Sequence, residues 1–229
     1  MILVNLMDVK NLEVACFSTL SAFEAEQSGA DRIEFCKDYI LGGITPDFYD
    51  IKLLKEKLQI PIYVMIRPRG GNFIYSESEF HLMKSEISKF KKLNIDGFVF
   101  GILNQNNQIN ILQNKELVDF AYPAPCTFHR AFDYCKNPLE ALENVIDCGF
   151  QFILTSGNVG KATEGIQVLQ QLVKKSQNRI SVIVGGGVRS TNIEILNQKT
   201  DAPWFHSACI TDNSFAANPS EIKAIKSHL

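Results

Sequence analysis

Asp31-Arg-Ile-Glu-Phe-Cys36, running on to Gly42-Gly-Ile-Thr-Pro46, decides how this chain is read. Apolar Ile33 and Phe35 alternate with Arg32, Glu34 and Cys36, and a β-strand sends alternate side chains to opposite faces. The stretch is therefore a short strand. It buries isoleucine and phenylalanine on one side and lines up a cation, a carboxylate and a thiol on the other. A buried charge pair costs several kcal/mol unless its members satisfy each other. A strand that carries one is either part of an ion-pair network that sets register or one wall of a site.

The same kind of strand recurs along the chain. Apolar, β-branched runs are found at Leu12–Phe17, Arg32–Cys36, Ile62–Arg67, Gly97–Gly101, Cys126–His129, Phe152–Thr155, Ile180–Val184 and Trp204–Ser207. Helical patterns separate them. Ser18 caps a first helix ending near Gly29, and Thr45-Pro46 supplies a cap and a first-turn proline for a second. Ser76-Glu-Ser-Glu79 is a capping box for a third. Apolar periodicity marks a fourth over Asn110–Ala121 and a sixth over Lys161–Lys175. Asn137-Pro138 opens a fifth that ends at Gly149, Ser190 opens a seventh, and Asn218-Pro219 opens the last. Eight β-then-α units with no linker between them predict one α/β domain over residues 1–229, a (β/α)₈ TIM barrel whose barrel proper spans about 11–229. An open doubly wound sheet, the main competitor, would leave one or two units over.

Composition narrows the function classes. The 229 residues are 45% hydrophobic and 21% charged, with 23 basic and 25 acidic side chains. No basic block points to nucleic acid or to an anionic membrane surface. Met1–Lys10 lacks the charged start and small-residue cleavage site of a signal peptide, and no run approaches a membrane span. The expected compartment is the cytoplasm. The six cysteines, Cys16, Cys36, Cys126, Cys135, Cys148 and Cys209, form no Cys-x-x-Cys pair and no zinc-module spacing. They are expected to be reduced and buried.

In a barrel of this kind the active site lies at the C-terminal ends of the strands, and here those ends are polar. Alternation points Glu13, Ala15 and Phe17 of the first strand inward, and with them Arg32, Glu34 and Cys36 of the second. Tyr63, Met65 and Arg67 of the third also point inward, as do Thr127 and His129 of the fifth and Trp204 and His206 of the eighth. Two carboxylates on adjacent strands, about 4.8 Å apart, raise each other's pKa unless cations intervene. Glu13, Glu34, His129 and His206 are thus the candidate catalytic acid–base groups. Arg32, Arg67, Arg69, Arg130 and Asp133 are candidate substrate holders, together with Thr155 and Ser156 and the Gly185-Gly186-Gly187 loop. Barrels often hold phosphate after strands 7 and 8, so a small anionic metabolite is the expected ligand class. For each group the competing reading is structural: an ion-pair network, a core histidine, a glycine turn required by sterics. A non-catalytic binding barrel also fits.

At these residues the sequence resembles the CutC family, the copper homeostasis protein CutC barrels. The matching pieces include Leu12-Glu-Val14, Ser28-Gly-Ala-Asp-Arg-Ile-Glu-Phe-Cys36, Val64-Met-Ile-Arg-Pro-Arg-Gly-Gly71, Thr127-Phe-His-Arg-Ala-Phe-Asp133, Leu154-Thr-Ser-Gly157, Gly185-Gly-Gly187 and Phe205-His206. The resemblance implies a cytoplasmic (β/α)₈ barrel, a homo-oligomer, with Cu(I) as ligand and a role in copper handling. It places one of the family's two strand-end cysteines on Cys36 as a metal ligand. The other falls on Ala15, with Cys16 displaced by one residue and, by alternation, facing the helices. Val184 stands where the family commonly has proline before the glycines, and Trp204 where it commonly has an acid.

Overall fold

Eight strands, β1 (Asn11–Cys16), β2 (Arg32–Phe35), β3 (Ile62–Met65), β4 (Gly97–Phe100), β5 (Cys126–Phe128), β6 (Phe152–Thr155), β7 (Ser181–Val184) and β8 (Trp204–Ser207), pair in sequence order, and β8 returns to β1. Every pairing is parallel, including Glu13 opposite both Arg32 and His206. The computed structural model describes residues 10–158 and 160–229. The reading of Met1–Lys10 above therefore lies, Lys10 apart, outside the described residues. Among the described residues eight α-helices follow the strands: α1 (Thr19–Gln27), α2 (Phe48–Lys57), α3 (Glu77–Lys91), α4 (Ile111–Ala121), α5 (Pro138–Asp147), α6 (Ile166–Ser176), α7 (Ile193–Thr200) and α8 (Pro219–Lys226). The chain is a (β/α)₈ barrel, as the repeated β–α pattern predicts. Among the described residues no helix is long and apolar enough to cross a membrane.

The barrel wall obeys strand alternation. Leu12, Val14 and Cys16 pack with Ile33, Phe35, Ile62 and Val64 into the layer between sheet and helices. Cys36, Tyr63, Met65 and Val99, joined by Phe17 and Phe152, form a separate interior cluster. Burial of the outer set is the main stabilising contribution, at about 25 cal/mol per Å² of apolar surface.

Helix starts follow the side-chain caps at Ser18, Ser76, Asn110, Asn137 and Asn218, and Ser76 with Glu79 forms the full capping box. Three starts differ from expectation. Thr45 does not cap α2: its hydroxyl accepts from the Arg67 N–H at 2.8 Å and donates to the Arg67 carbonyl at 3.1 Å. It clasps the β2–α2 loop to the end of β3, and Asp47 takes the cap position. Ser190 does not open α7 but donates to Glu221 on α8, and Asn192 precedes the helix. The sixth helix begins at Ile166 rather than Lys161, because the preceding turn packs tightly against Ser156 and Gly157, where the chain leaves β6. A Cβ on Gly165 would sit 2.0 Å from the Ser156 carbonyl oxygen.

Candidate functional site

The floor of the barrel interior is a cation. The Arg32 guanidinium carbon lies 3.9, 4.4 and 4.1 Å from the ring centroids of Tyr63, Phe152 and Trp204, and its Nε donates to Glu13 Oε2 at 2.6 Å. A desolvated arginine among aromatic faces gains cation–π attraction, and its charge is met by a carboxylate that is 0% exposed. Arg32 is thus enclosed beneath the mouth and opposite Glu13, away from where a substrate would enter.

Above the floor the carboxylates divide. Glu13 Oε1 sits 2.8 Å from His206 Nδ1. His206 Nε2 lies 3.9 Å from Glu34 Oε2, and the Cys36 thiol donates to that same oxygen at 3.5 Å. Glu34 Oε1 has no partner although the residue is only 4% exposed. Burial raises the Glu13 carboxyl, but Arg32 and His206 outweigh it and the group stays below its ordinary value. Glu34 goes the other way: burial lifts it, His206 opposes, and the neighbouring Glu13 charge adds to the lift. Burial works against a charged His206, yet the bond to Glu13 and the Glu34 charge raise it overall. Burial and the Glu34 charge push the Cys36 thiol well up. Two neighbouring carboxylates with oppositely displaced affinities are a means of holding one proton at a chosen atom.

Glu34, Cys36 and His206, but not Glu13, line a cavity of about 190 Å³ at the C-terminal mouth, together with Arg67, His129 and Arg130 and with Phe17, Met65, Phe73 and Leu154 among its apolar walls. A groove of about 210 Å³ on the flank between α2 and α3 includes no residue with an unpartnered buried polar atom. His129 closes one side of the mouth. Its Nδ1 accepts from the Ala131 N–H at 3.3 Å, which leaves the proton on Nε2, and Nε2 has no partner. Burial, with Arg67 beside it, lowers its pKa to about 3, so the ring is a neutral donor at physiological pH. Gly101 allows this placement, since a Cβ there would lie 2.7 Å from His129 Nδ1.

The other expected holders are placed differently. Arg67 lines the mouth, but Nη1 donates to the carbonyls of Leu41, Gly42 and Gly43 and Nη2 to that of Gly71; only Nε is without a partner. It clasps two loops. Arg69 lies outside the mouth, with Nε paired to Glu79 at 2.5 Å and Nη2 to the Ile74 carbonyl. Thr155 falls on the opposite alternation from Phe152 and Leu154, and its hydroxyl donates to Asp133 at 2.5 Å. Asp133 also accepts from Ser156 and pairs with Arg130 Nε at 2.8 Å. The trio of Asp133, Thr155 and Ser156 steadies Arg130, which alone of the four reaches the cavity. Gly186 packs against Ser156 and Arg130, and its carbonyl accepts from Ala162; the triple glycine is a packing turn beside the mouth. Cys16 lies in the helix-facing layer and Cys36 in the interior cluster, on opposite faces of the sheet.

Sequence reading did not find Tyr39, Phe73, Leu154 and Ala208 as walls. Leu154 was open to the alternation argument, because Phe152 and Leu154 share a face. The loop residues carry no local signal.

Comparison with known proteins adds the relationships. Residues 10–211 match the model of the CutC family. The copper homeostasis protein cutC homolog of Mus musculus is 41% identical over 195 residues, 85% of this chain and 72% of that protein. A crystal structure of a CutC protein from Streptococcus agalactiae superposes with a TM-score of 0.84 at 32% identity, covering 88% of this chain and all of that one. N-(5'-phosphoribosyl)anthranilate isomerase from Pyrococcus furiosus gives a TM-score of 0.64 at 13% identity, over 96% of this chain and 98% of its own; that likeness concerns the fold alone.

Proposed function

This chain belongs to the CutC family, and we propose that it takes part in copper homeostasis, as its relatives' names have it, through ligand binding at the mouth of the barrel where Glu34, Cys36 and His206 converge. The observation that carries this reading is the set of unpartnered buried atoms in residues lining one cavity, Glu34 Oε1, Arg67 Nε and His129 Nε2. Buried polar atoms are nearly always satisfied, and three that are not, in the lining of one cavity, suit a polar ligand.

Copper(I) prefers soft thiolate ligands. The mouth offers one thiol, Cys36, and the family's second thiol position is Ala15. Cys16 is turned into the helix-facing layer. The residues present do not fit a two-thiolate copper(I) site. Copper arriving as cargo would meet Cys36 with an imidazole and a carboxylate.

A second reading is favoured by the divided carboxylates. Glu34, held above its ordinary pKa, and His206, backed by Glu13, can give and take a proton, while neutral His129 and Arg130 face a developing negative charge. This suits acid–base chemistry on a small anionic metabolite. The chain would act on a small molecule or copper rather than nucleic acid or membrane, in the cytoplasm and as a homo-oligomer.

One experiment separates the two. Thermal stabilisation of the full reduced chain is measured with Cu(I) and with panels of carboxylated and phosphorylated metabolites, in wild type and Glu34→Gln. A ligand at 100 times its Kd adds about 2.7 kcal/mol. The expected result is stabilisation by at least one ligand, lost in Glu34→Gln. Stabilisation by a ligand that is indifferent to Glu34→Gln, or by none, removes the mouth from the account.

A further inference from the structure

Two donor atoms flank Glu34 Oε2: Cys36 Sγ at 3.5 Å and His206 Nε2 at 3.9 Å. A tetrahedral cation bound by oxygen at about 2.0 Å and sulfur at about 2.3 Å holds those atoms about 3.5 Å apart, and an oxygen and a nitrogen about 3.3 Å apart. The sulfur and oxygen already stand at the required separation; the imidazole needs to close by roughly half an ångström on the oxygen and to approach the sulfur as well, because Cys36 does not belong to the group whose ligand atoms all lie within 4.8 Å of one another.

Oxygens of Glu13 and Glu34 and a ring nitrogen of His206 all lie within 4.8 Å of one another. Their hydrogen bonds assign them different parts. Both Glu13 oxygens are engaged, one by Arg32 and one by His206 Nδ1. Glu13 therefore stands behind His206 as the carboxylate that fixes the ring and leaves Nε2 for a ligand, an arrangement typical of metal-bound histidines. Glu34 Oε1, in a residue 4% exposed, is without a partner. The charges also balance. Glu13 is offset by Arg32, while ionised Glu34 and Cys36 would place two negative charges in a buried mouth, which a divalent cation would neutralise.

Resting on the reading that the mouth engages the ligand, we propose that Glu34, Cys36 and His206 form a three-ligand site for a divalent cation of borderline softness, of the Zn²⁺ class, with Glu13 as the positioning residue behind His206 and the fourth position open to the cavity. One sulfur, one nitrogen and one oxygen suit this class. Hard cations favour all-oxygen sets, and copper(I) favours more sulfur. An open fourth position is what separates a site that handles a ligand from a purely structural one.

The test uses the full, reduced, metal-stripped chain titrated with Co²⁺ as spectroscopic probe, then with Zn²⁺ in competition. The expected result is one Co²⁺ per chain with a sulfur-to-cobalt charge-transfer band, displaced by Zn²⁺. Cys36→Ser removes the band, and His206→Ala and Glu34→Gln each weaken binding at least tenfold. Glu13→Gln weakens it by about 10–100-fold, and Cys16→Ala changes nothing. Because Glu13→Gln also exposes Arg32 to an unpaired state, Cys36→Ser and Glu34→Gln decide the matter. Absence of binding, or a band that survives Cys36→Ser, overturns the proposal. Ligand stabilisation that depends on Glu34, found without Co²⁺ or Zn²⁺ binding, overturns it too while leaving the mouth as the site.

Discussion

Glu13 ties the centre of the barrel to its mouth: Oε2 lies 2.6 Å from Arg32 Nε and Oε1 lies 2.8 Å from His206 Nδ1. One buried carboxylate serves a structural cation and a functional histidine. Removing one member of a buried ion pair leaves the other charge uncompensated and costs about 3–5 kcal/mol. Glu13→Gln is expected to lose stability on that scale in urea unfolding. Glu13→Gln combined with Arg32→Met, which fills the space among Tyr63, Phe152 and Trp204 without a charge, recovers a large part of it. Equal losses in the single and double variants would show that the pair is not what the interior depends on.

Glu34 is the opposite case. Its carboxyl is raised, burial being the largest cause. A group raised in the fold contributes stability below its unfolded pKa, and that contribution is lost as pH rises through the folded value. Glu34→Gln keeps the shape and removes the titration. At neutral pH its stability should fall within about 1 kcal/mol of wild type, and the wild-type advantage should shrink as pH rises from 4.5. A loss of several kcal/mol at neutral pH would instead make Glu34 a member of a structural ion-pair network.

His129 titrates with the other sign. Its pKa falls from 6.5 to about 3 in the fold, chiefly by burial. The unfolded chain therefore takes up a proton below pH 6.5 that the folded chain refuses. Stability is full above that pH and falls as pH drops toward 3, by up to about 1.4 kcal/mol per unit. Between pH 6.5 and 5 wild type should lose on the order of 2 kcal/mol more than His129→Gln. Parallel pH profiles for the two chains would contradict a neutral, buried His129.

Gly101→Ala tests the packing that sets that ring. The added methyl would meet His129 Nδ1 at 2.7 Å and Cε1 at 2.9 Å. Overpacking of this kind costs about 1–3 kcal/mol. The ring must move from the Ala131 N–H, so ligand stabilisation at the mouth should drop along with thermal stability. Unchanged ligand stabilisation would exclude His129 from the contact surface.

Much of this was legible in the alternation of Arg32-Ile-Glu-Phe-Cys36, because side-chain direction along a strand has a period of two and needs no knowledge of distant residues. The barrel followed from eight such strands, and the inward placement of Glu13, Glu34, Cys36 and His206 from the same rule. The rule also carried the separation of Cys16 from Cys36. What it could not reach were partnerships set by the tertiary fold. Arg67 is drawn to the carbonyls of Leu41, Gly42 and Gly43 more than twenty residues earlier, and Thr155 to Asp133 on the far side of α5 in the chain. The short 3₁₀ turn Arg130–Tyr134, begun by His129 accepting from Ala131, has no periodicity to reveal it. Polar residues at strand ends look alike in sequence, and only their partners distinguish a clasp such as Arg69 from a group that faces the cavity.

The most direct measurement is a competition titration of the reduced chain with Cu(I), in wild type, Cys16→Ala and Cys36→Ala. The account places a single thiol, Cys36, in the mouth and Cys16 on the far face of the sheet. It predicts no tight two-thiolate site, the same Cu(I) affinity in Cys16→Ala as in wild type, and any binding at the mouth weakened by Cys36→Ala. Stoichiometric, tight Cu(I) binding abolished by Cys16→Ala as well as by Cys36→Ala would contradict it.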